Sequence, residues 1–455
     1  MIDIVAGFVH RLGYDDLPPE VVDKAKTCLL YAIGIGLAGV EVEYARIAWQ
    51  SLPRCPGEAT VLPGGQKASA LDAALVNSIL FHGRTQEDTY APGSTHPGAV
   101  VVPAALAVAE SLGEPVSGRD FLAAVVCGYE VIAAISRACV RFSTPCGFRA
   151  TPVYGIFGSA AAAAKLSRLD VRQTASCLSF AANMSSGLTN SFYEGSMEWH
   201  FQVGFAARNG ILAALLAQHG AVGSPSSLDG RSGFLKAFTG SMEPAEAIER
   251  AFGPRRDHTF NILDVDFKPY PTCAWVIPAV DTVRQIRRGE SVDPARVEKV
   301  LVYVNPYEAN YPGNSYQGPF PSVESATMSV PYTAALALLD GHVTLRGLRR
   351  YGDDSIERLA QKVQVIASDD YPQMTCRVEI HLQDGTVISQ SSANPPDHYR
   401  YGWDRTRVFL QELLPEMPGM DGSSLDRLAE EIHELDRAPD VRRLLTDILE
   451  GRTAG

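Results

Sequence analysis

HGRTQEDTYAPGSTHPGAVVVPAALAVAE, residues His82 to Glu110, falls into two halves of opposite character. The first crowds His82, Arg84, Glu87, Asp88, Thr89, Tyr90 and His96 into one polar loop; the second is an apolar run that reads as a buried helix. A loop of this kind gathers bases, cations and hydroxyls ahead of a helix whose first N–H groups have no partner of their own. That suits the binding of a small anion and the movement of a proton. A polar surface loop leading into a core helix accounts for the same letters. Thr95 is the expected N-cap, and the fixed backbone of Pro97 would keep the His96 imidazole near the helix start.

The helical texture extends on both sides. Val21–Ala38, Ser69–Phe81, Phe121–Val140, Ser159–Lys165 and Gly204–Gln218 read as helices, the first after a Pro-Pro-Glu entry. Several are rich in the alanine that lets helices pack closely. Strand signals are nearly absent before Phe260, so this region reads as an all-α domain. Beyond Phe260 the texture changes. Arg296–Asn305 (RVEKVLVYVN), Gln361–Ala367, Thr375–Leu382 (TCRVEIHL) and Thr386–Ser391, the last after an Asp-Gly turn, alternate and are β-branched. Helical runs at Ala274–Arg288, Ser325–Leu339 and Ser355–Gln361 lie between them. The spacing predicts one antiparallel sheet with helices on one face. From about Arg405 the pattern is helical again, with Leu425–Leu435 and Val441–Leu449 as amphipathic helices returning to the first domain. The fold class is therefore mainly α with a smaller α+β domain. A large helical domain over 1–262 is completed by 396–455, and an α+β lid domain covers 263–395. No internal repeat is visible, and Pro306–Pro321 is the one long irregular stretch, of the kind that often carries function.

A chain of 455 residues exceeds one simple core, which agrees with two domains. A formal net charge of −12 argues against nucleic acid as the main partner, because phosphate binding needs a basic face. A locally basic pocket is still compatible with it. The longest apolar runs, such as Ala104–Glu110 and Ile211–Ala217, read as too short to span a bilayer, and MIDIVAGFVHRLGYDDLPPE shows no secretory signal. Eight cysteines without a CxxC pair fit a reduced, cytoplasmic protein with neither disulfide framework nor zinc ribbon. There is no GxGxxG after a strand, no Walker loop and no GxSxG, and no His/Cys spacing suggests zinc, so no metal is expected.

The loop resembles the signature of the MmgE/PrpD family, in which a run like HxxDFDDTH is followed by HPGAVVxPAALALAE. Three further segments carry the resemblance over most of the chain. Cys146–Leu169 (CGFRATPVYGIFGSAAAAAKLSRL) is similar to GWHxTGxxGxxGAAAAAAKLLGL, with Arg149 where the family has histidine. Glu194–Ala217 (EGSMEWHFQVGFAARNGILAALLA) is similar to the GxAAxxGxxAAxLA helix, with Trp199 and His200 where a lysine is usual. Phe267–Val283 (FKPYPTCAWVIPAVDTV) is similar to KPYPxCxxxHxAIDA, with Ile277 at the later histidine. In the loop itself Thr85, Gln86, Glu87 and Tyr90 replace family residues, while Asp88, Thr89 and His96 are retained.

The resemblance implies a homodimer that performs cofactor-independent proton chemistry beside a carboxylate. The expected activity is a lyase of dehydratase type, removing a proton α to a carboxylate of a small di- or tricarboxylate. Epimerisation or isomerisation, decarboxylation, and carboxylate binding without catalysis are the alternatives. His96 and Asp88 are expected to move protons, with His200 or Tyr154 as the opposite acid. Lys268 would stabilise the charge that grows on the carboxylate. Arg84, Thr89, Arg149 and Cys273 are expected to contact substrate, the arginines as bidentate donors.

Overall fold

The computed structural model of the chain describes all residues except 54, 63, 254–258, 291, 393–397 and 451–455. It divides into two compact units. One comprises Met1–Leu188, His200–Phe267 and Tyr401–Gly455; the other comprises Thr189–Trp199 and Lys268–Arg400.

The first unit is built from helices whose starts are held by local side-chain caps. Ser69 accepts the Asp72 N–H ahead of the Ala70–Gly83 helix, and Ser117 accepts the Asp120 N–H ahead of Gly118–Ser143. Asp170 and Gln173 form a capping box ahead of Val171–Met184. Pro19 opens the Pro19–Ala38 helix in the position where a missing N–H costs nothing. Gly98–Ser111, Gly118–Ser143 and Ala150–Leu166 are buried along almost their whole length. Small residues explain how they approach: a Cβ on Gly128 would lie 2.6 Å from Val101 Cγ1 and 2.9 Å from the Gly158 carbonyl oxygen. Gly118–Cys146 is long and apolar enough to cross a membrane, which corrects the reading that every apolar run is too short. Since 89% of its most apolar window is buried inside the protein, it serves as the core helix of this unit.

Short strands, which the sequence pattern did not announce, tie the first unit together. Ala59–Val61 pairs antiparallel with Gln66–Ala68, and Asp88–Thr89 pairs antiparallel with Asp266–Phe267. Lys24 secures the second pairing, donating to the Val265 carbonyl at 2.5 Å while its ammonium lies 4.2 Å from the Phe267 ring centroid.

In the second unit, Val297–Val304, Val363–Ala367, Cys376–Leu382 and Val387–Ser391 form one four-stranded sheet. Cys376, Val378, Ile380 and Leu382 alternate inward, as the period of TCRVEIHL requires. The sheet is mixed rather than antiparallel: Val297–Val304 runs parallel to Val363–Ala367 and antiparallel to Cys376–Leu382. Parallel neighbours need a long crossover, and the helices Val323–Met328, Val330–Asp340 and Asp354–Ala360 lie in that connection. The stretch read as the single helix Ser325–Leu339 is broken at Ser329, whose hydroxyl caps the second piece by accepting the Tyr332 N–H. Inside the irregular stretch, Glu308 is buried, its Oε1 accepting the Met374 N–H at 2.7 Å, and burial pushes its carboxyl up to about 8.

Candidate active site

The loop after the Ala70–Gly83 helix turns back on itself between two left-handed residues, Thr85 at φ 56° and Ser94 at φ 51°. A β-branched residue at such a φ is strained and persists only where surrounding contacts enforce it. Tyr90 and Thr95 close the turn reciprocally, with N–H···O distances of 2.8 and 3.3 Å across the short helical turn Ala91–Gly93. This hairpin lays His96 back over Asp88 and Thr89. His96 Nδ1 is 2.8 Å from the Asp88 carbonyl oxygen and 3.1 Å from Thr89 Oγ1.

Asp88 has a different task from the expected acid or base. Its side chain is buried, with Oδ1 accepting the Gly98 N–H at 2.8 Å and Oδ2 accepting the Tyr129 hydroxyl at 2.6 Å. It therefore caps the Gly98–Ser111 helix from outside the helix, while the N-cap position itself is Pro97 and makes no side-chain cap. Thr95, the expected cap, does not cap that helix. Burial raises the Asp88 carboxyl to about 6 against the lowering pull of these two bonds. Gly98 is required here, since a Cβ would fall 2.7 Å from both Asp88 Oδ2 and the Tyr129 hydroxyl.

Around His96 the first unit assembles a cluster of ionisable groups. Glu87 stands between two histidines: Oε1 lies 3.4 Å from His96 Nε2, and Oε2 lies 3.2 Å from His82 Nδ1. Arg149, the residue preceding the Ala150–Leu166 helix, places Nη2 2.8 Å from His82 Nε2 and Nη1 3.4 Å from Gln202 Oε1. His200, in the first turn of the Glu198–Gln218 helix, stacks on Tyr44 with centroids 3.7 Å apart and planes 14° apart. Its ring is 5.6 Å from that of His82, and the His82 and His96 rings are 5.9 Å apart. The His82 and Glu87 side chains are 0% and 2% exposed, while His96 is 16% exposed, so solvent reaches the cluster through His96.

Burial, followed by the neighbouring His82 and Arg149, holds the His200 imidazole well below the usual histidine value. It is therefore neutral at pH 7 rather than a cationic acid. The structure thus brings together His96, Thr89, Arg149 and His200 of the expected residues. It adds His82, Glu87 and Tyr44, which the sequence assignments passed over. His82 and Glu87 lay in the opening motif, and His82 matches the first histidine of the family run. Tyr44 carried no such signal.

Arg84 and Tyr154 are directed to other partners. The Arg84 guanidinium is directed to Glu416 Oε2 at 2.7 Å, the Ala38 carbonyl at 3.0 Å and Gln86 Oε1 at 3.0 and 3.2 Å, which makes it a buried brace. Tyr154 is a core aromatic, fully buried, with its hydroxyl 2.6 Å from Ser143 Oγ and its ring edge-on to Phe234. Lys268 and Cys273 belong to the second unit, where both are buried; Cys273 donates its backbone N–H to the Thr327 carbonyl.

Two open cavities of the first unit involve none of the cluster. One of about 250 Å³ is lined by His10, Lys165 and Arg168 among others, and one of about 430 Å³ by Arg137, Arg141 and Arg250 among others. Among the described residues, no group of three or more His, Cys, Asp or Glu is placed to hold a metal ion.

Comparison with known proteins agrees with the motif reading along the chain. Residues 3–247 match the MmgE/PrpD N-terminal domain and residues 270–404 the MmgE/PrpD C-terminal domain. A cis-aconitate decarboxylase of Aspergillus terreus is 30% identical over 423 residues, covering 86% of this chain and 84% of that protein. The cis-aconitate decarboxylases of Mus musculus and Homo sapiens are each 28% identical, covering 87% and 86% of this chain and 82% of each relative. The chain belongs to the MmgE/PrpD family.

Proposed function

We propose that the protein is a lyase acting on a small di- or tricarboxylate, and that its reaction is the decarboxylation of a substrate of the cis-aconitate type. The observation that carries this reading is His96: its Nδ1 is anchored, its Nε2 belongs to a buried cluster, and its ring is the solvent-reached member of that cluster. The substrate class follows from the related cis-aconitate decarboxylases.

Loss of CO₂ breaks a carbon–carbon bond and leaves its electron pair on carbon. The net reaction then takes up one proton. A positioned imidazole delivers that proton, with a typical effect on the order of 10²–10⁴ in rate. The developing anion needs a fixed cation in a water-poor site, and Arg149 supplies one that stays charged at any working pH. Lys268 is kept as a second cation of the proposal; Lys268→Met should lower kcat at unchanged fold, and unchanged kcat would remove it. His200, neutral, orients substrate by hydrogen bonding.

A dehydration course is the second reading, favoured by the same anchored imidazole, which can take a proton α to a carboxylate as well as give one. Incubation of the purified protein with cis-aconitate, citrate, 2-methylcitrate, malate, tartrate and iminodisuccinate in D₂O, followed by NMR, separates the courses. Release of CO₂ with one deuterium on carbon supports decarboxylation. Gain or loss of an alkene without CO₂ supports dehydration. A folded protein that neither turns over nor exchanges any of these refutes the lyase reading.

A further inference from the structure

We infer that Glu87 and His96 share a single proton, and that His82, locked by Arg149, is the residue that positions Glu87 to hold it. The inference deepens the lyase reading, and its bearing on catalysis rests on that reading.

The argument starts from groups that cannot change roles. The Asp88 carbonyl oxygen can only accept, and it lies 2.8 Å from His96 Nδ1, so Nδ1 carries a hydrogen. A neutral imidazole with that hydrogen has a bare lone pair on Nε2. Nε2 is 3.4 Å from Glu87 Oε1, in a place where the Glu87 side chain is only 2% exposed. A lone pair beside an ionised carboxylate oxygen repels it, and little water is there to screen the repulsion. One additional proton makes the contact attractive, as imidazolium with carboxylate or as imidazole with carboxylic acid. Such a pair titrates as a unit.

The same reasoning fixes His82. A guanidinium has donors only, and Arg149 Nη2 is 2.8 Å from His82 Nε2. Nε2 therefore accepts, and the hydrogen sits on Nδ1, which lies 3.2 Å from Glu87 Oε2 without the alignment of a hydrogen bond, so His82 acts on Glu87 through close contact and the polarity of its N–H. The two Glu87 oxygens thus have separate neighbours: Oε2 beside an N–H that stays in place while Arg149 holds Nε2, and Oε1 beside the nitrogen that gains and loses its hydrogen. In the proposed reaction the bond to CO₂ breaks, its electron pair stays on carbon, and carbon takes the shared proton through His96 Nε2. The pair is left one proton short and is refilled from solvent through the exposed side of His96. Glu87 and His82 act through His96 and are positioning residues.

The test uses full-length protein labelled with ¹⁵N-histidine and ¹³C-glutamate, read by NMR near neutral pH. The expected spectra show His82 protonated on Nδ1 alone, and His96 protonated on Nδ1 together with a proton on either His96 Nε2 or the Glu87 carboxyl. In Glu87→Gln, His96 should become neutral with a bare Nε2. The alkaline limb of kcat should also move down by about one to three pH units, the usual influence of a close opposite charge. His82 protonated on Nε2, or a wild-type pair with neither Nε2 nor carboxyl protonated, overturns the inference, and so does a Glu87→Gln limb that does not move. If that variant fails to fold, the wild-type spectra decide. Spectra as expected in a protein that turns over no carboxylate uphold the shared proton and refute the lyase reading alone.

Discussion

Replacing Asp88 by asparagine separates the electrostatics of a buried carboxyl from its capping role. The side chain is 1% exposed, and burial lifts its carboxyl from 3.8 to about 6 despite the bonds from Gly98 and Tyr129. A folded value above the unfolded one means that the group's contribution to stability is complete below pH 3.8 and is lost as pH rises through about 6. A difference of about 2.2 units at about 1.36 kcal/mol each amounts to about 3 kcal/mol. Roughly half of that is lost below about pH 5 and the other half between about pH 5 and about pH 7.5. Asparagine keeps an oxygen for the Gly98 N–H and turns an amide toward the Tyr129 hydroxyl, which rotates to accept. It has no charge to bury. Urea unfolding of both proteins at several pH values should therefore show the wild type losing about 1.5 kcal/mol more than the variant between about pH 5 and about pH 7.5. Parallel losses in the two proteins would refute the assignment of this pH dependence to Asp88. Turnover should survive the substitution, because Asp88 holds His96 through its backbone carbonyl.

Four further outcomes follow from the geometry. His96→Gln should lower turnover by about 10²–10⁴ while leaving the thermal transition in place, checked by CO₂ release and calorimetry. Arg84→Met removes the donor shared by Gln86, Ala38 and Glu416 and should cost on the order of 2 kcal/mol in urea unfolding, with KM unmoved. Tyr154→Phe removes the hydroxyl paired with Ser143 and should cost about 1 kcal/mol with kcat unchanged; a large fall in kcat would place Tyr154 in the active site. For Glu308, raised from 4.5 to about 8, the contribution to stability present below pH 4.5 is lost as pH rises through about 8. Glu308→Gln should therefore exceed the wild type by more than about 1 kcal/mol in urea unfolding at about pH 9.

Helices were legible because their signals are local. The Pro-Pro-Glu entry announces the start of the Pro19–Ala38 helix, and the apolar spacing of Ser69–Phe81 and Phe121–Val140 finds helices that the structure extends to Ala70–Gly83 and Gly118–Ser143. Alternation likewise revealed the strands of the sheet, but not that Val363–Ala367 would pair in parallel, because strand order is not written in a strand's own pattern. The site was legible to the extent that its chemistry sits in one loop. His96 and Thr89 lie seven residues apart and meet within that loop. The partner of Arg84 was not legible, because Glu416 is 332 positions away. For Asp88, a carboxylate in a loop gives no sign that its acceptors are aimed at Gly98 and Tyr129. Tyr44 reaches His200 only by the packing of the Glu43–Ser51 helix, which nothing in its own sequence foretells.

The first unit is assembled from three separate stretches of chain, which sets a timetable for its synthesis. Lys26 pairs with Asp436, 410 residues later, Gly118 donates its N–H to the Ala438 carbonyl, and Leu410 packs within reach of Gly34. At translation rates of about 5–20 residues per second, Lys26 waits about 20–80 s before its partner has even been made. Over that interval every residue of the other unit has been synthesised, while the surfaces of the Pro19–Ala38 helix that will meet residues 410 and 436 stay uncovered. The Pro19–Ala38 helix is therefore made well before the residues that complete its packing.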